Sequence, residues 1–183
     1  LTIDRLREKY SDLLNEKDSE NFKDNLKIIN NQIKQIGNLV NEFSDFARMP
    51  KPILKQHNII KLINDNISLM KELDNSININ IKSSSDNIFI KCDTDQFSRM
   101  FINLFKNSIE SLNEKFEKNP NFIKKIDIEI TKKDDYIEIT INDNGLGFNK
   151  KDTNDLLKPY FTTKKNGTGL GLPIINKIIN DHN

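Results

Sequence analysis

Asp143-Asn144-Gly145-Leu146-Gly147, then Lys158-Pro159-Tyr160-Phe161-Thr162-Thr163-Lys164-Lys165, then Gly167-Thr168-Gly169-Leu170-Gly171-Leu172: this stretch holds five of the chain's six glycines. Concentrating glycine in one segment lets backbone approach something closely, because glycine alone offers positive φ and no Cβ at little steric cost. Its last part, Gly169-Leu170-Gly171-Leu172-Pro173, runs into Ile174, Ile175, Ile178 and Ile179, a spacing that predicts a helix with Pro173 in its first turn. A glycine-rich turn feeding a helix N-terminus suits a phosphate, since free N–H groups and the helix dipole both point at the anion. Between the first glycines and the last, residues 149–168 show little periodicity and are polar and lysine-rich, the pattern of a lid or binding loop.

Upstream, Ile126, Ile128 and Ile130 alternate with Asp127 and Glu129, and Ile137, Ile139 and Ile141 with Glu138, Thr140 and Asn142. These are two strands of a hairpin joined at Lys132–Asp135. The parity carries Asp143 onto the face of the three isoleucines, where a carboxylate is costly unless something hydrogen-bonds it. Before them, Asp93 with Gln96 three residues on reads as a capping box opening a long helix to about Phe116. Phe97, Phe101, Leu104, Phe105 and Leu112 form its apolar side; Asn103, Asn107 and Glu110 form a stripe roughly opposite, which on composition alone is a solvated face.

The chain begins with a helical pattern, Ile3, Leu6, Tyr10 and Leu13, followed by a polar break around Asn15–Glu20. Phe22, Leu26, Ile29, Ile33, Ile36, Val40, Phe43 and Ala47 then make a heptad seam. Met49-Pro50-Lys51-Pro52 stops it. A helical hairpin of this size has too little surface to bury both stripes on itself, so it is expected to dimerise into a four-helix bundle, the alternative being packing on its own globular domain. Beyond the prolines we expect a strand near 53–56, a helix capped by Asn58 and running to about Leu73, a strand through Ile77, Ile79 and Ile81, and a short strand over 87–91.

Lys+Arg 28 against Asp+Glu 27 gives a net charge of +1, so no broad field draws nucleic acid to the surface and any anion must be bound locally. Apolar runs are far shorter than the roughly 20 residues that span a bilayer. The single cysteine, Cys92, is expected to be a core residue on a strand; it forms no intrachain disulfide, and a reducing cytosolic setting is favoured.

Three features therefore converge: a carboxylate, Asp143, able to accept from an exocyclic amine; a glycine-rich helix start able to hold phosphates; and amide oxygens on the long helix able to take a hard cation. Asparagine suits Mg²⁺ that is mostly satisfied by phosphate and water. Together they describe a Mg–ATP site. The glycines have neither P-loop nor Rossmann spacing.

The combination resembles a known family. Asn103-Leu104-Phe105-Lys106-Asn107-Ser108-Ile109-Glu110 resembles the N box of sensor histidine kinases, Asp143-Asn144-Gly145-Leu146-Gly147 their G1 box, Pro159-Tyr160-Phe161-Thr162-Thr163-Lys164 their F box, and Gly167-Thr168-Gly169-Leu170-Gly171-Leu172 their G2 box. The linker Glu42-Phe43-Ser44-Asp45-Phe46-Ala47-Arg48-Met49-Pro50-Lys51-Pro52 is similar to that of nitrogen-regulation sensors of the NtrY/NtrB type. The resemblance implies an α+β chain: a dimerisation and histidine-phosphotransfer hairpin at 1–48, then at 49–183 a Bergerat-type α/β sandwich that binds ATP. It implies that Asn107 coordinates Mg²⁺, Asp143 reads the adenine amine, and Gly145 and Gly147 shape the adenine pocket. Lys164 approaches the γ-phosphate, while Gly167, Thr168, Gly169, Leu170 and Gly171 line the phosphates, with Asn103 a neighbouring polar contact. A response regulator as partner, a homodimer and a membrane-bound parent are implied in the same way.

The chain departs from the family in its histidines. His57 and His182 are the only two, both expected to be incidental surface residues, and the phosphorylated histidine of the family's first hairpin helix is missing. The chain is accordingly expected to be a fragment, short of that motif and of the last sheet strands, that binds ATP without phosphorylating itself. The other readings are an ATPase of the same superfold, like the gyrase or Hsp90 ATPase domains, and a catalytically silent dimeric scaffold. The ATPases carry a general-base glutamate where Asn103 stands.

Overall fold

Asn15 caps a helix where the apolar spacing suggests only a break. Its side chain accepts the Asp18 N–H (2.9 Å) and donates to the Asp18 carboxylate (2.7 Å), so the polar residues that follow are the first turns of a helix and not a linker. The computed structural model describes residues 2–10, 15–148, 155–164 and 167–182. They divide into two units, Leu1–Met49 with Lys164–Thr168, and Pro50–Thr163 with Gly169–Asn183.

In the first unit, helix α1 spans Thr2–Tyr10 and α2 spans Glu16–Ala47; Leu13 lies outside the described residues. Helix α2 ends on an Arg48 N–H to Ser44 carbonyl bond (2.9 Å), just ahead of the prolines. Of the heptad residues, Leu26 is buried, whereas Ile29, Ile33, Ile36, Val40 and Phe43 are between 44% and 60% exposed. In the stretch Lys164–Thr168, the Gly167 N–H donates to the Lys164 carbonyl (3.3 Å) and the Thr168 hydroxyl donates to the Glu42 carboxylate.

The second unit contains β1 (Lys55–Asn58), α3 (Ile59–Leu73), β2 (Asn78–Ser83), β3 (Phe89–Cys92), α4 (Thr94–Lys118), β4 (Lys125–Lys132), β5 (Ile137–Asp143) and α5 (Gly171–Asp181). Strand β1 starts two residues later than the predicted 53–56, for a physical reason. The Ile53 N–H is committed to the Asp93 carboxylate (2.9 Å) and the Pro50 carbonyl accepts the Gln96 amide (2.8 Å), so 50–53 is tied to the start of α4 instead of pairing in a sheet. Asn58 caps α3 as predicted, accepting the Ile60 and Lys61 N–H groups.

β1 pairs antiparallel with β3. In a second sheet β2 runs parallel to β4, and β4 forms the antiparallel hairpin with β5. Ile126, Ile128 and Ile130 are at most 1% exposed, so one face of this sheet is closed by helices. Its other face is polar: Asn80 donates to Asp127 (2.9 Å), which also pairs with Lys125 (2.7 Å). The helical layer contributes Ile59 and Ile63 of α3, Ile174 and Ile178 of α5, and the stacked rings of α4. Phe97 and Phe101 have centroids 4.9 Å apart, and Phe101 and Phe105 5.7 Å, the tilted spacing that aromatic pairs prefer. Cys92 is a buried free thiol on β3, its pKa raised by burial and secondarily by the neighbouring Asp93 charge.

Asp93 caps α4 by accepting the Asp95 and Gln96 N–H groups (3.1 Å each), but the predicted box is not reciprocal. The Gln96 side chain goes to Pro50, and the Asp93 N–H goes to His182 Nε2 (3.0 Å). His182 Nδ1 in turn lies 2.8 Å from the Ile178 carbonyl. His182 is therefore no incidental surface residue: it is half-buried and satisfies a helix-cap backbone from the far end of the chain. His57 sits half-buried on β1, in register with Ile90.

Candidate nucleotide site

Helix α4 is the wall against which the site is built. Its Asn103 and Asn107, one turn apart, are half-buried, not fully solvated, because the start of α5 lies over them. A Cβ placed on Gly171 would stand 3.3 Å from Asn103 Oδ1 and 3.8 Å from Asn107 Nδ2. Asn103 Nδ2 donates back to the Arg99 carbonyl (2.8 Å), which turns its amide oxygen toward Gly171. Glu110, further along the same stripe, is also half-buried.

The adjoining face of α4 holds the end of β5. The register pairs Asp143 with Ile126, and residues directly opposite in a ladder point to the same face, so the parity argument holds. Asp143 is nonetheless exposed: it stands at the open end of the core face. Its donors come from the protein. Oδ1 accepts the Gly145 N–H (2.9 Å) and Oδ2 accepts the Ser108 hydroxyl (3.2 Å). Three residues along α4, Ser111 Oγ accepts the Leu146 N–H (2.9 Å). Lys115 continues the row, donating to the Asn144 carbonyl (2.6 Å). Gly145 passes so close to α4 that an added Cβ would lie 2.3 Å from Ser111 Oγ and 2.9 Å from the Ser111 carbonyl carbon. Gly147 has open space around it at φ +70°.

Helix α5 opens at Leu170 with no side-chain cap, and its third residue, Pro173, has no N–H to satisfy. Leu170 itself is fully buried, anchoring the turn. Gly169 adopts φ +69°, and the Tyr160 N–H donates to its carbonyl (3.1 Å). Lys158 pairs with Asp155 (2.5 Å).

The structure thus brings Asn103 and Asn107 together with Gly171, and Asp143 and Gly145 together with α4. Lys164, Gly167 and Thr168 belong to the first unit, described above. Residues 149–154 of the predicted lid, with Lys165 and Asn166, lie outside the described residues. Sequence reasoning missed Ser108 and Ser111. A signal for Ser108 existed: with Phe101, Phe105 and Leu112 it continues the buried stripe at helical spacing, and a hydroxyl in such a stripe needs a partner.

Helices over one face of a mixed sheet, with an acidic strand end and a glycine-rich helix start meeting on one central helix, define a class of nucleotide-binding fold. The chain belongs to the family of histidine kinase-, DNA gyrase B- and HSP90-like ATPases, whose pattern residues 92–183 match. Along its whole length it is 33% identical to a protein of Rickettsia prowazekii (strain Madrid E) named as an NtrY-like sensor histidine kinase, of which it spans 29%. Among solved structures it resembles the catalytic domain of histidine kinase ThkA, with 25% identity and a TM-score of 0.61 over 70% of this chain and 81% of that one. ThkA in complex with the response regulator protein TrrA matches 99% of this chain and 50% of that one, at 20% identity and a TM-score of 0.70; at that identity the likeness speaks for the fold. The chain spans less than a third of the length of its NtrY-like relative.

Proposed function

We propose that the chain is the ATP-holding catalytic part of a two-component sensor histidine kinase. The protein to which it belongs transfers the γ-phosphoryl group of ATP to a histidine nitrogen and onward to an aspartate of a response regulator. The observation that carries this reading is the convergence on α4: three motifs far apart in sequence, at 103–107, 143–145 and 169–171, meet on one helix. Asp143 accepts from the adenine amine, and the start of α5, uncapped by any side chain, faces the phosphates; from the family resemblance we assign Lys164 to the γ-phosphate and Gly167 and Thr168 to phosphate contacts. Phosphoryl transfer asks for positioning and charge neutralisation more than for covalent help.

The donor set suits Mg²⁺. Asn107 carries a neutral amide beside the cradle left by the missing Cβ of Gly171, which it meets through Nδ2 at 3.8 Å; its carbonyl oxygen is the hard ligand we assign to the metal, and a Mg²⁺ ion that keeps phosphate and water ligands needs few others from protein. When bound, the ion supplies charge neutralisation at the phosphates. Asn103 stands where a hydrolytic general base would be required, and an amide whose nitrogen is donated to Arg99 cannot take a proton from water. Multiple-turnover hydrolysis is accordingly outside this reading.

Among the described residues no helix is long and apolar enough to cross a membrane; we assign membrane attachment to other parts of the parent. His57 on β1 and His182 after α5 are the chain's only histidines, so the 183 residues hold nucleotide without their own acceptor. The exposed apolar seam of α2 is the surface through which two copies pair, and residues 1–48 form the dimerisation and phosphotransfer part while 49–183 bind nucleotide.

The experiment is a titration with a fluorescent ATP analogue, with and without Mg²⁺. Saturable binding that Asp143→Ala and Asn107→Ala each weaken at least about tenfold, the loss of one charge-assisted contact, supports the reading. Absence of binding leaves a silent scaffold; steady multiple-turnover hydrolysis identifies an ATPase.

A further inference from the structure

We propose that Ser108 sets the purine selectivity of this site, by holding the Asp143 carboxylate in the one orientation that accepts a hydrogen bond from a 6-amino group. This rests on the reading of Asp143 as the adenine contact. An ionised carboxylate has about four lone-pair positions, and the protein fills two of them, one on each oxygen: the Gly145 N–H on Oδ1 and the Ser108 hydroxyl on Oδ2. The terminal torsion of aspartate is broad and roughly two-fold. With the Gly145 bond alone, Oδ2 can swing around it. With a second donor on the second oxygen, the carboxylate plane is fixed, and its remaining lone pairs point in a defined direction.

That direction decides which purines are accepted. A 6-amino group presents N–H donors to it. A 6-oxo group presents an acceptor, which a carboxylate able to turn would escape and a fixed one repels. A serine inside a helix ordinarily bonds back to the carbonyl four residues earlier; here the hydroxyl reaches across to another element instead. Alanine would fit the same place with better helix propensity. Ser108 is only 7% exposed, so its hydroxyl approaches Asp143 from the buried side of the carboxylate and leaves the exposed side to a ligand. Ser111 provides the internal contrast, since its hydroxyl oxygen holds the neighbouring Leu146 N–H and the carboxylate takes its side-chain hydrogen bond from Ser108. Ser108 is thus a positioning residue acting through Asp143.

The test is equilibrium binding of three probes, ATP, purine riboside 5′-triphosphate (which lacks the 6-amine) and GTP, to the 183-residue chain and to Ser108→Ala, Ser108→Thr, Ser111→Ala and Asp143→Ala. Ser108→Ala is expected to lose about tenfold in ATP affinity, the effect of one hydrogen bond to a charged group, with little change for the 6-unsubstituted analogue and a narrower margin over GTP. Ser108→Thr restores the preference, and Ser111→Ala weakens ATP and the analogue together. Equal weakening of ATP and the analogue by Ser108→Ala, or an unchanged preference, overturns the proposal. Asp143→Ala separates the two layers: if it leaves the preference intact, the reading of Asp143 is what fails. If it abolishes the preference while Ser108→Ala does not, only the role of Ser108 fails.

Discussion

The Tyr160 N–H donates to the Gly169 carbonyl at 3.1 Å, and both residues sit at positive φ, +67° and +69°. The contact is so close that a Cβ on Gly169 would lie 2.5 Å from the Tyr160 carbonyl carbon and 2.8 Å from the Phe161 nitrogen, atoms of backbone that cannot rotate away. Gly169→Ala therefore combines left-handed strain of about 1–2 kcal/mol with overpacking of about 1–3 kcal/mol. For a chain of this size that lowers the thermal midpoint by roughly 5 °C or more. Thermal unfolding with and without ATP should show the loss in both, and a smaller ATP-induced shift in the variant.

Gly145 and Ser111 make a second, separable clash. Gly145→Ala sets a methyl against Ser111 Oγ at 2.3 Å but also against the Ser111 carbonyl carbon at 2.9 Å. Adding Ser111→Ala removes the first obstacle and leaves the second, together with Asp143 Oδ1 at 2.8 Å. The double variant should bind ATP better than Gly145→Ala alone, yet remain weaker than the parent, with a coupling energy of about 0.5–3 kcal/mol as for residues in contact. Strict additivity would mean that the two positions do not meet.

Asp93 makes folding sensitive to acid. Its pKa is held below the ordinary aspartate value, first by the Ile53 N–H and then by the Gln96 and Asp95 N–H groups, against an opposing contribution from burial. A depressed carboxyl pKa means that the native state binds fewer protons than the unfolded chain. The stabilisation is therefore complete above the unfolded pKa and lost as pH falls through the native one. Urea denaturation should show stability declining as pH drops below about 4, the ordinary aspartate value. Asp93→Ala should lower neutral-pH stability by about 1–2 kcal/mol through the lost cap and flatten that acid limb.

The seam of α2 predicts association. Ile36, 60% exposed, and Ile33, 54% exposed, lie at heptad positions whose burial needs a partner. Sedimentation should give a dimer for the parent chain and a monomer for Ile36→Asp, because a charge in such a seam is left buried and unpaired. ATP affinity should be retained, since Ile36 belongs to the first unit whereas Asn103, Asn107, Asp143, Gly145 and Gly171 belong to the second.

Much of the architecture was legible because it rests on periodicity. Alternating isoleucines placed the β4–β5 hairpin and the face of Asp143; Asn58 and Asp93 placed two helix starts within a residue. What escaped depended on long-range hydrogen bonds that no local pattern encodes. The strand near 53–56 shifted to Lys55–Asn58 because Asp93 and Gln96 claim the backbone of Ile53 and Pro50. Only half of the capping box forms, because the Asp93 N–H goes to His182, from the opposite end of the chain. Asn15 reads as a break in the apolar spacing because polar residues cap helices as readily as they interrupt them. In the site, motif residues declared themselves by type and spacing, whereas Ser108 and Ser111 act on backbone and carboxylate groups that only folding brings to them.

Asn107 and Ser108 are consecutive, yet one lies by α5 and the other grips the end of β5. Each residue of a helix is turned about 100° from the last, so two rows of one α4 surface serve two distant pieces of chain at once. Inserting or deleting a single residue between 103 and 111 would rotate one part of both rows against the rest and unseat the α5 start and the β5 end together. This helix can change its letters one at a time, but it cannot change its length.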